Sequence, residues 1–180
     1  MEKLFVNIDG AAQGNPGDAA IGIVITDAQG NVVKEIAEYI GRTTNNVAEY
    51  RALIEAIKAV LPYAPKRVIF FTDSQLLANQ VNGLYRIRRP HLEPLHRQVH
   101  ELLEQLPSWQ VNYVERDANW KAHRLAQKAL LEKVAKEAEA GLPERIRRKV
   151  ELLDELDQRR VLEFVNRLYE ESQRDKSPLP

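Results

Sequence analysis

Hydrophobic residues concentrate in three short runs at the start of the chain, at residues 4–9, 20–27 and 32–39. The runs are rich in the β-branched and aromatic residues that favour strands. The sequence Ala-Gln-Gly-Asn at residues 28–31 separates the second run from the third and is typical of a hairpin turn. The pattern therefore predicts three neighbouring antiparallel strands, of which the first two are joined at Gly-Asn-Pro-Gly, residues 14–17.

Helices and strands alternate over the rest of the first 140 residues. We predict helices over residues 46–61, 74–82, 91–106 and 119–140, and strands over residues 67–72 and 109–115. Pro62 ends the first of these helices because proline cannot continue the hydrogen-bond ladder. Antiparallel strands followed by such an alternation indicate the α/β class, with a mixed sheet and helices packed on it.

The composition changes at Gly-Leu-Pro, residues 141–143. The 40 residues from 141 to 180 hold 18 charged side chains, nine of each sign, and only one glycine. Apolar residues recur there at helical spacing, at Ile146, Val150 and Leu153 and again at Val161, Val165 and Leu168. We predict two domains, a main domain over residues 1–140 and a helical hairpin extension over 141–180, with the joint at Asp157-Gln158 and a frayed end at 177–180.

Composition excludes several classes of protein. The 180 residues contain no cysteine, which rules out disulfide scaffolds, thiolate metal sites and cysteine nucleophiles. No apolar run approaches the roughly 20 residues that cross a bilayer, and the first residues lack the apolar core of a signal peptide. We therefore expect a cytoplasmic protein that does not bind membranes.

Charge gives no clear sign of a nucleic-acid partner. Lys and Arg number 26, and Asp and Glu also number 26, so there is no global basic field. A local basic stripe lies between residues 86 and 97, formed by Arg86, Arg88, Arg89 and Arg97. Taken alone, this stripe is better explained as solvated surface. His96 and His100 can share a helix face nearby, but no third ligand accompanies them, so they are interpreted as surface.

Two aspartates follow predicted strands. Asp9 comes at the end of the first strand and Asp73 at the end of the fourth. Ligands of open α/β sheets bind beyond the carboxyl ends of the strands, so both carboxylates are candidates for a site there. Taken alone, Asp73 is better explained as the N-cap of the helix that follows it.

Glu49 favours a metal site. It shares a predicted helix face with Leu53, Ala56 and Val60, which must face the sheet, so Glu49 points inward too. An inward carboxylate is costly unless a positive charge meets it. A divalent cation would satisfy Glu49 together with Asp9 and Asp73, and oxygen ligands suit Mg²⁺ or Mn²⁺.

Five ordered motifs resemble the type 1 ribonuclease H family. They are IDGA at residues 8–11, GNPG at 14–17, TNNVAEY at 44–50, FTDS at 71–74 and NWKAHRLA at 119–126. The resemblance covers roughly residues 3–131. Within it, the stretch from Asp73 to Leu95 resembles the compact branch of the family, which lacks a basic protrusion. It implies a mixed five-stranded sheet, three antiparallel strands and then two parallel, flanked by helices. The C-terminal helical extension lies outside the match.

This resemblance implies cleavage of the RNA strand of RNA–DNA hybrids, leaving 3′-hydroxyl and 5′-phosphate ends. In the family, carboxylates at the positions of Asp9, Glu49 and Asp73 hold two metal ions that carry out the hydrolysis. The substrate positions that match are Asn15, Asn45 and Asn46 for the minor groove, and Arg42 and Thr44 for a DNA phosphate. The basic stripe adds Arg88 and Arg89 as phosphate contacts. Turn or N-cap chemistry is the alternative for the asparagines.

His123 departs from the family pattern, which has an aspartate at this position as the fourth carboxylate. His123 is predicted to be a catalytic metal ligand that shifts the preference from Mg²⁺ toward Mn²⁺, because imidazole binds Mn²⁺ better. Alternatively, the site has lost a metal ion, or the residue was introduced into the chain by design. The mobile histidine of the family is also absent, and Arg116-Asp117 stands in its place.

The sequence thus predicts a ribonuclease H that uses two divalent ions, Mg²⁺ or Mn²⁺. A catalytically impaired module that binds hybrids is the alternative, with residues 141–180 recruiting a protein partner or a second copy. A nuclease of the same fold that acts on DNA is a third interpretation. Cleavage and binding assays on hybrid duplexes distinguish the three.

Overall fold

The structure of the protein is a computed structural model that describes residues 1–174. Its strands are β1 (Lys3–Gly14), β2 (Gly17–Asp27), β3 (Val32–Thr43), β4 (Arg67–Thr72) and β5 (Trp109–Tyr113). Its helices are α1 (Asn45–Val60), α2 (Gln75–Val81), α3 (Glu93–Leu103), α4 (Trp120–Glu139), α5 (Leu142–Glu151) and α6 (Glu155–Arg174). Short 3₁₀ turns cover Leu61–Tyr63, Pro90–Leu92 and Arg116–Asn119. The chain forms two compact units, Met1–Lys133 and a second that begins at Val134.

The five strands form one mixed sheet in the order β3-β2-β1-β4-β5. β1 and β2 pair antiparallel, as do β2 and β3, whereas β4 pairs parallel with both β1 and β5. The parallel connections contain helices, as parallel strands require. The predicted fold class is therefore confirmed, with three antiparallel strands followed by two parallel ones.

The core lies between the sheet and α1. Alternate residues of β1 and β2 are fully buried and pack against the apolar face of α1. This set comprises Leu4, Val6 and Ile8 of β1, Ile21, Ile23 and Ile25 of β2, and Leu53, Ala56, Ile57 and Val60 of α1. Burial of each large aliphatic side chain contributes about 1.5–3 kcal/mol, so this face fixes α1 on the sheet.

The first hairpin is longer than predicted. β1 continues from the predicted end at Asp9 to Gly14, because β2 pairs with it as far as Gly14 opposite Gly17. Asp9 therefore lies within a strand, opposite Gly22. The parallel pairing of β4 with β1 stops one residue earlier, at Ile8 opposite Thr72. Asp9 thus marks the end of the parallel ladder and not the end of its own strand.

The joint between α5 and α6 differs from the prediction. It lies between Glu151 and Glu155, whereas Asp157-Gln158 belongs to the first turn of α6. The carboxylate of Asp154 accepts a hydrogen bond from the Asp157 backbone N–H at 2.9 Å, which is the geometry of a helix cap. Asp154, three positions before the predicted joint at Asp157, therefore caps the start of α6.

The predicted boundary at residue 140 falls between α4 and α5, seven residues after the first compact unit ends at Lys133. The division into an independent domain and an extension stays a prediction. The predicted frayed segment, 177–180, lies outside the described residues. No helix within residues 1–174 combines the length and the apolar character that crossing a membrane requires, and the cytoplasmic location stays a prediction.

Candidate active site

Three carboxylates lie together at the end of the parallel ladder. Each of Asp9, Glu49 and Asp73 offers one oxygen, and these oxygens lie within 4.8 Å of one another. Asp9 and Glu49 are each only 4% exposed, and Asp73 is half-buried. Three acidic side chains at these distances could together hold a divalent metal ion.

The backbone of Gly10 brings Glu49 next to Asp9. A Cβ atom at position 10 would lie 2.3 Å from the backbone nitrogen of Glu49 and 2.3 Å from the carbonyl carbon of Ala48. Glycine therefore allows the start of α1 to lie directly on β1. The hydroxyl of Thr44 fixes this end of the helix by accepting a hydrogen bond from the Val47 N–H at 3.4 Å.

A second glycine brings α4 to the site. Gly22 lies opposite Asp9 on β2, and a Cβ atom there would lie 2.0 Å from the Ala122 carbonyl oxygen. Because no side chain intervenes, the first turn of α4 packs directly on the sheet, with Ala122 and Ala126 fully buried. This close approach places His123 beside Asp9.

The surroundings of Glu49 disfavour the charged form of its carboxylate. Burial raises its pKa well above the ordinary value of 4.5, and the nearby carboxylates of Asp9 and Asp73 raise it further. A hydrogen bond from the Gly10 backbone acts in the opposite direction. The Oε2 atom is buried and has no hydrogen-bond partner in the described part of the chain. A buried carboxylate oxygen without a partner fits a site that a cation completes.

The pKa of Asp9 is also raised. The largest cause is burial, followed by repulsion from Asp73, whereas the hydrogen bond with His123 lowers it. Both buried carboxylates therefore favour a bound proton or a bound cation over an empty, fully ionised site.

Asn119 holds the site together and was not assigned a role from the sequence. Its side chain is fully buried, and its Nδ2 donates to the Ile8 carbonyl oxygen at 2.8 Å and to Asp73 Oδ1 at 3.1 Å. Its Oδ1 accepts from Asn7 Nδ2 at 3.1 Å. Asn119 begins the last of the five motifs, and this position could have indicated a functional role. The sequence could not show its three partners, because they lie 46 to 112 residues away along the chain.

Asp73 does not cap α2, so the alternative considered for it is wrong. Ser74 is the N-cap, and its hydroxyl accepts a hydrogen bond from the Leu77 N–H at 3.2 Å. The Asp73 carboxylate is therefore left to face the cluster, where Asn119 orients it.

His123 contacts the cluster through Asp9. Its Nδ1 lies 3.0 Å from Asp9 Oδ2, and its Nε2 lies 3.2 Å from Nη2 of Arg116. Because a guanidinium can only donate, Nε2 accepts and Nδ1 carries the proton that is donated to Asp9. In this arrangement both ring nitrogens are engaged, and a ligand role for His123 requires the ring to exchange one contact for the metal.

The matched substrate residues lie around the start of α1. Asn15, in the turn after β1, accepts a hydrogen bond from the Asn45 N–H at 3.3 Å. Thr44, and not an asparagine, is the N-cap, so the capping alternative for Asn45 and Asn46 is wrong. Arg42 is exposed at the end of β3, three residues before the helix begins.

The predicted phosphate contacts Arg88 and Arg89 lie elsewhere, in the segment between α2 and α3. Both side chains are exposed, as a contact with nucleic acid requires. The described residues show no hydrogen bond or ion pair between either arginine and the three carboxylates. His96 and His100, interpreted as surface, are partly exposed and also contact each other.

Comparisons with known proteins agree with this geometry. A family profile described as Reverse transcriptase-like matches residues 7–129. Ribonuclease HI of Halobacterium salinarum is 39% identical over 128 residues, which is 71% of this chain and 64% of that protein. A bifunctional protein of Mycobacterium tuberculosis is 35% identical over 129 residues, or 71% of this chain and 35% of its own length. The chain thus spans less than two thirds of these curated relatives.

Solved structures cover the same region. The crystal structure of RNase H1 from Halobacterium salinarum superposes with a TM-score of 0.70 at 37% identity, over 72% of this chain and 98% of that one. LC11-RNase H1 in complex with an RNA/DNA hybrid gives a TM-score of 0.70 at 35% identity, over 73% and 99%. With the sheet order and the three carboxylates in place, these matches show that the chain belongs to the type 1 ribonuclease H family.

Proposed function

We propose that this protein is a metal-dependent endonuclease that cleaves the RNA strand of RNA–DNA hybrids, leaving 3′-hydroxyl and 5′-phosphate ends. The observation that carries the proposal is the buried Glu49 carboxylate, which has one oxygen without a hydrogen-bond partner and lies together with the carboxylates of Asp9 and Asp73. The relatives named ribonuclease H and the neighbour solved with an RNA/DNA hybrid support the choice of substrate.

Divalent metal ions would be held by Asp9, Glu49 and Asp73. Their oxygen-only ligand set fits Mg²⁺ or Mn²⁺. Bound there, such ions would supply an activated water and stabilise the departing oxygen. Asn119 supports this role by keeping the Asp73 carboxylate turned toward the cluster.

His123 is proposed as the fourth ligand, and an imidazole there would favour Mn²⁺ over Mg²⁺. In the structure its ring donates to Asp9 and accepts from Arg116. These contacts support a placement within reach of the site. To bind the metal through the lone pair of Nε2, the ring would release its contact with Arg116.

The hybrid would be bound by the residues around the start of α1 and by the basic stripe. Asn15, Asn45 and Asn46 would contact the minor groove, where amide groups can pair with base edges and 2′-hydroxyls. Arg42 and Thr44 would hold a phosphate of the DNA strand, and Arg88 and Arg89 would contact further phosphates. The Asn15–Asn45 hydrogen bond supports this grouping.

Cleavage of a labelled hybrid tests the proposal. A hybrid with a 5′-fluorescent RNA strand should be cut in Mg²⁺ or Mn²⁺, and mass spectrometry should find 3′-hydroxyl and 5′-phosphate ends. The Asp9→Asn variant is the matched control and should not cut. Single-stranded RNA, duplex DNA and duplex RNA should remain intact, and cutting of duplex DNA would favour the DNA nuclease instead.

The impaired binding module remains the alternative function. It predicts that the protein binds the hybrid in EDTA as tightly as it does with a divalent metal, and that it cuts the hybrid with neither Mg²⁺ nor Mn²⁺.

We also propose that α5 and α6 bind a protein partner or a second copy. This rests on the large apolar side chains that α6 exposes, with Phe164 at 55%, Leu168 at 48% and Tyr169 at 65% exposure.

A further inference from the structure

Two histidines of α3, His96 and His100, face each other and do not belong to the carboxylate cluster of Asp9, Glu49 and Asp73. His96 and His100 are four residues apart and therefore lie on the same side of the helix. Their ring centroids are 4.5 Å apart. The centroids of the His100 and Trp109 rings are 6.3 Å apart, with the two rings at 74° to each other. Both rings are half-buried, whereas His91 of the preceding turn is exposed. Packing thus holds both imidazoles in defined positions.

The spacing of the two rings matches that of metal ligands. Nε2 of His96 lies 3.2 Å from Nε2 of His100. Two bonds of about 2.0–2.1 Å from zinc to nitrogen, meeting at a nearly tetrahedral angle, place the nitrogens about 3.3 Å apart. The two nitrogens are therefore already at the separation that one shared ion requires. Because His96 Nε2 also contacts the Gln80 carbonyl oxygen, which can only accept, ligation requires each ring to carry its proton on Nδ1 so that both Nε2 lone pairs are free for the ion.

Oxygen ligands lie next to the pair. The Gln80 carbonyl oxygen, near the C-terminal end of α2, is 3.2 Å from His96 Nε2. Carbonyl groups at this end of a helix carry a partial negative charge. Glu93 lies one turn before His96 and lines the same cleft, of about 650 Å³, which has room for water ligands. Arg86 also lines the cleft, and its charge opposes that of a cation.

The pKa of His100 suits metal binding. Burial lowers the pKa of His100, and the neighbouring His96 lowers it further, whereas Glu104 and the Val81 carbonyl act in the opposite direction. Metals bind the neutral imidazole, so a lowered pKa keeps His100 in the binding form near neutral pH.

We propose that His96 and His100 bind a divalent transition metal of the zinc type through their Nε2 atoms. The Gln80 carbonyl oxygen and water complete the coordination. The ion clamps the end of α2 to α3. The site differs from the carboxylate cluster in kind, because its side-chain ligands are two imidazole nitrogens, which favour zinc over magnesium, whereas the carboxylate oxygens of Asp9, Glu49 and Asp73 favour magnesium.

Calorimetric titration of the full chain with ZnCl₂ tests this proposal, with Mg²⁺ present in large excess to compete at the carboxylates. The His96→Gln and His100→Gln variants should each bind zinc at least tenfold more weakly than the parent at this site. His91→Gln is the matched control and should bind like the parent. Equal zinc affinity in the parent and in both pair variants would overturn the proposal.

Ring-nitrogen NMR of the unmodified chain gives an answer that does not depend on how the variants fold. One equivalent of Zn²⁺ should shift the Nε2 resonances of His96 and His100 together and leave His91 unchanged. Shifts confined to His123, or absent from both His96 and His100, would overturn the proposal. The result stands apart from the proposed nuclease activity, because neither measurement involves cleavage.

Discussion

Asn119 and Asp73 are joined by a hydrogen bond of 3.1 Å, although 46 residues separate them in the chain. The same amide nitrogen of Asn119 donates to the Ile8 carbonyl oxygen. One buried side chain thus connects the start of α4 to β1 and to an acidic residue of the cluster. Its removal should affect both the fold and the position of the carboxylate.

The Asn119→Ala variant should lower the free energy of unfolding by about 1–3 kcal/mol, because it leaves buried polar groups without partners. Urea unfolding followed by circular dichroism measures this. Asn112→Ala is the matched control, since Asn112 is exposed on β5 and its loss should change stability by less than about 0.5 kcal/mol. Equal stabilities of the two variants would show that the Asn119 network contributes nothing.

Glu49→Gln should remove metal-dependent cleavage and stabilise the metal-free protein. Because the folded-state pKa of Glu49 is raised, protonation of Glu49 favours the fold below the unfolded value of about 4.5, and this contribution is lost as pH rises through the folded value. In EDTA, the stability of the parent should therefore fall more steeply with rising pH above about 4.5 than that of the variant. Thermal unfolding across this pH range checks the slope.

The Asp9→Asn and Asp73→Asn variants should likewise lose cleavage while remaining folded. Addition of Mg²⁺ or Mn²⁺ should raise the melting temperature of the parent and have little effect on any of the three amide variants, since ligands that bind only the folded state stabilise it. Unchanged turnover in Asp9→Asn would refute the proposed metal assignment.

The His123→Asp variant should gain activity with Mg²⁺ and lose the preference for Mn²⁺. A carboxylate supplies the oxygen that Mg²⁺ favours, whereas the imidazole suits Mn²⁺ better. Steady-state cleavage in each metal measures the ratio of the two rates, and His123→Ala is the comparison. If both variants behave like the parent with both metals, His123 is not a ligand.

Replacement of Arg88 and Arg89 by alanine should weaken hybrid binding and its dependence on salt. Each lost phosphate contact reduces the slope of log affinity against log salt by about 1. Fluorescence anisotropy in EDTA over a range of KCl concentrations gives the slope. Arg159→Ala is the control, since Arg159 is an exposed residue of α6 that pairs with Glu155. An unchanged slope in the double variant would identify the stripe as ordinary surface.

A chain that ends at residue 140 should fold and bind hybrids. Among the residues whose burial the structure describes, the buried hydrophobic residues lie between Leu4 and Leu130, within the first compact unit. Circular dichroism, gel filtration with light scattering and hybrid binding test the shortened chain against the full one. Insoluble protein would show that the tail contributes to folding, and a change in oligomeric state would support self-association through α5 and α6.

Much of this protein follows from its sequence. The strands, the inward face of α1 and the acidic residues could be predicted because local periodicity decides which side of an element is buried. Glu49 is an example, since the apolar residues Leu53, Ala56 and Val60 on its face fixed its direction. The order of the motifs then indicated the sheet and the family.

Other features were decided only by the tertiary structure. The position of Asp9 within β1 depends on how far β2 continues beyond β4, and the contacts of Asn119 and His123 join residues more than 100 positions apart. The paired rings of His96 and His100 depend on how α3 packs against α2 and Trp109. Periodicity fixes the direction of a side chain on its own element, but the distance to a partner on another element is set by packing, for which no local pattern exists.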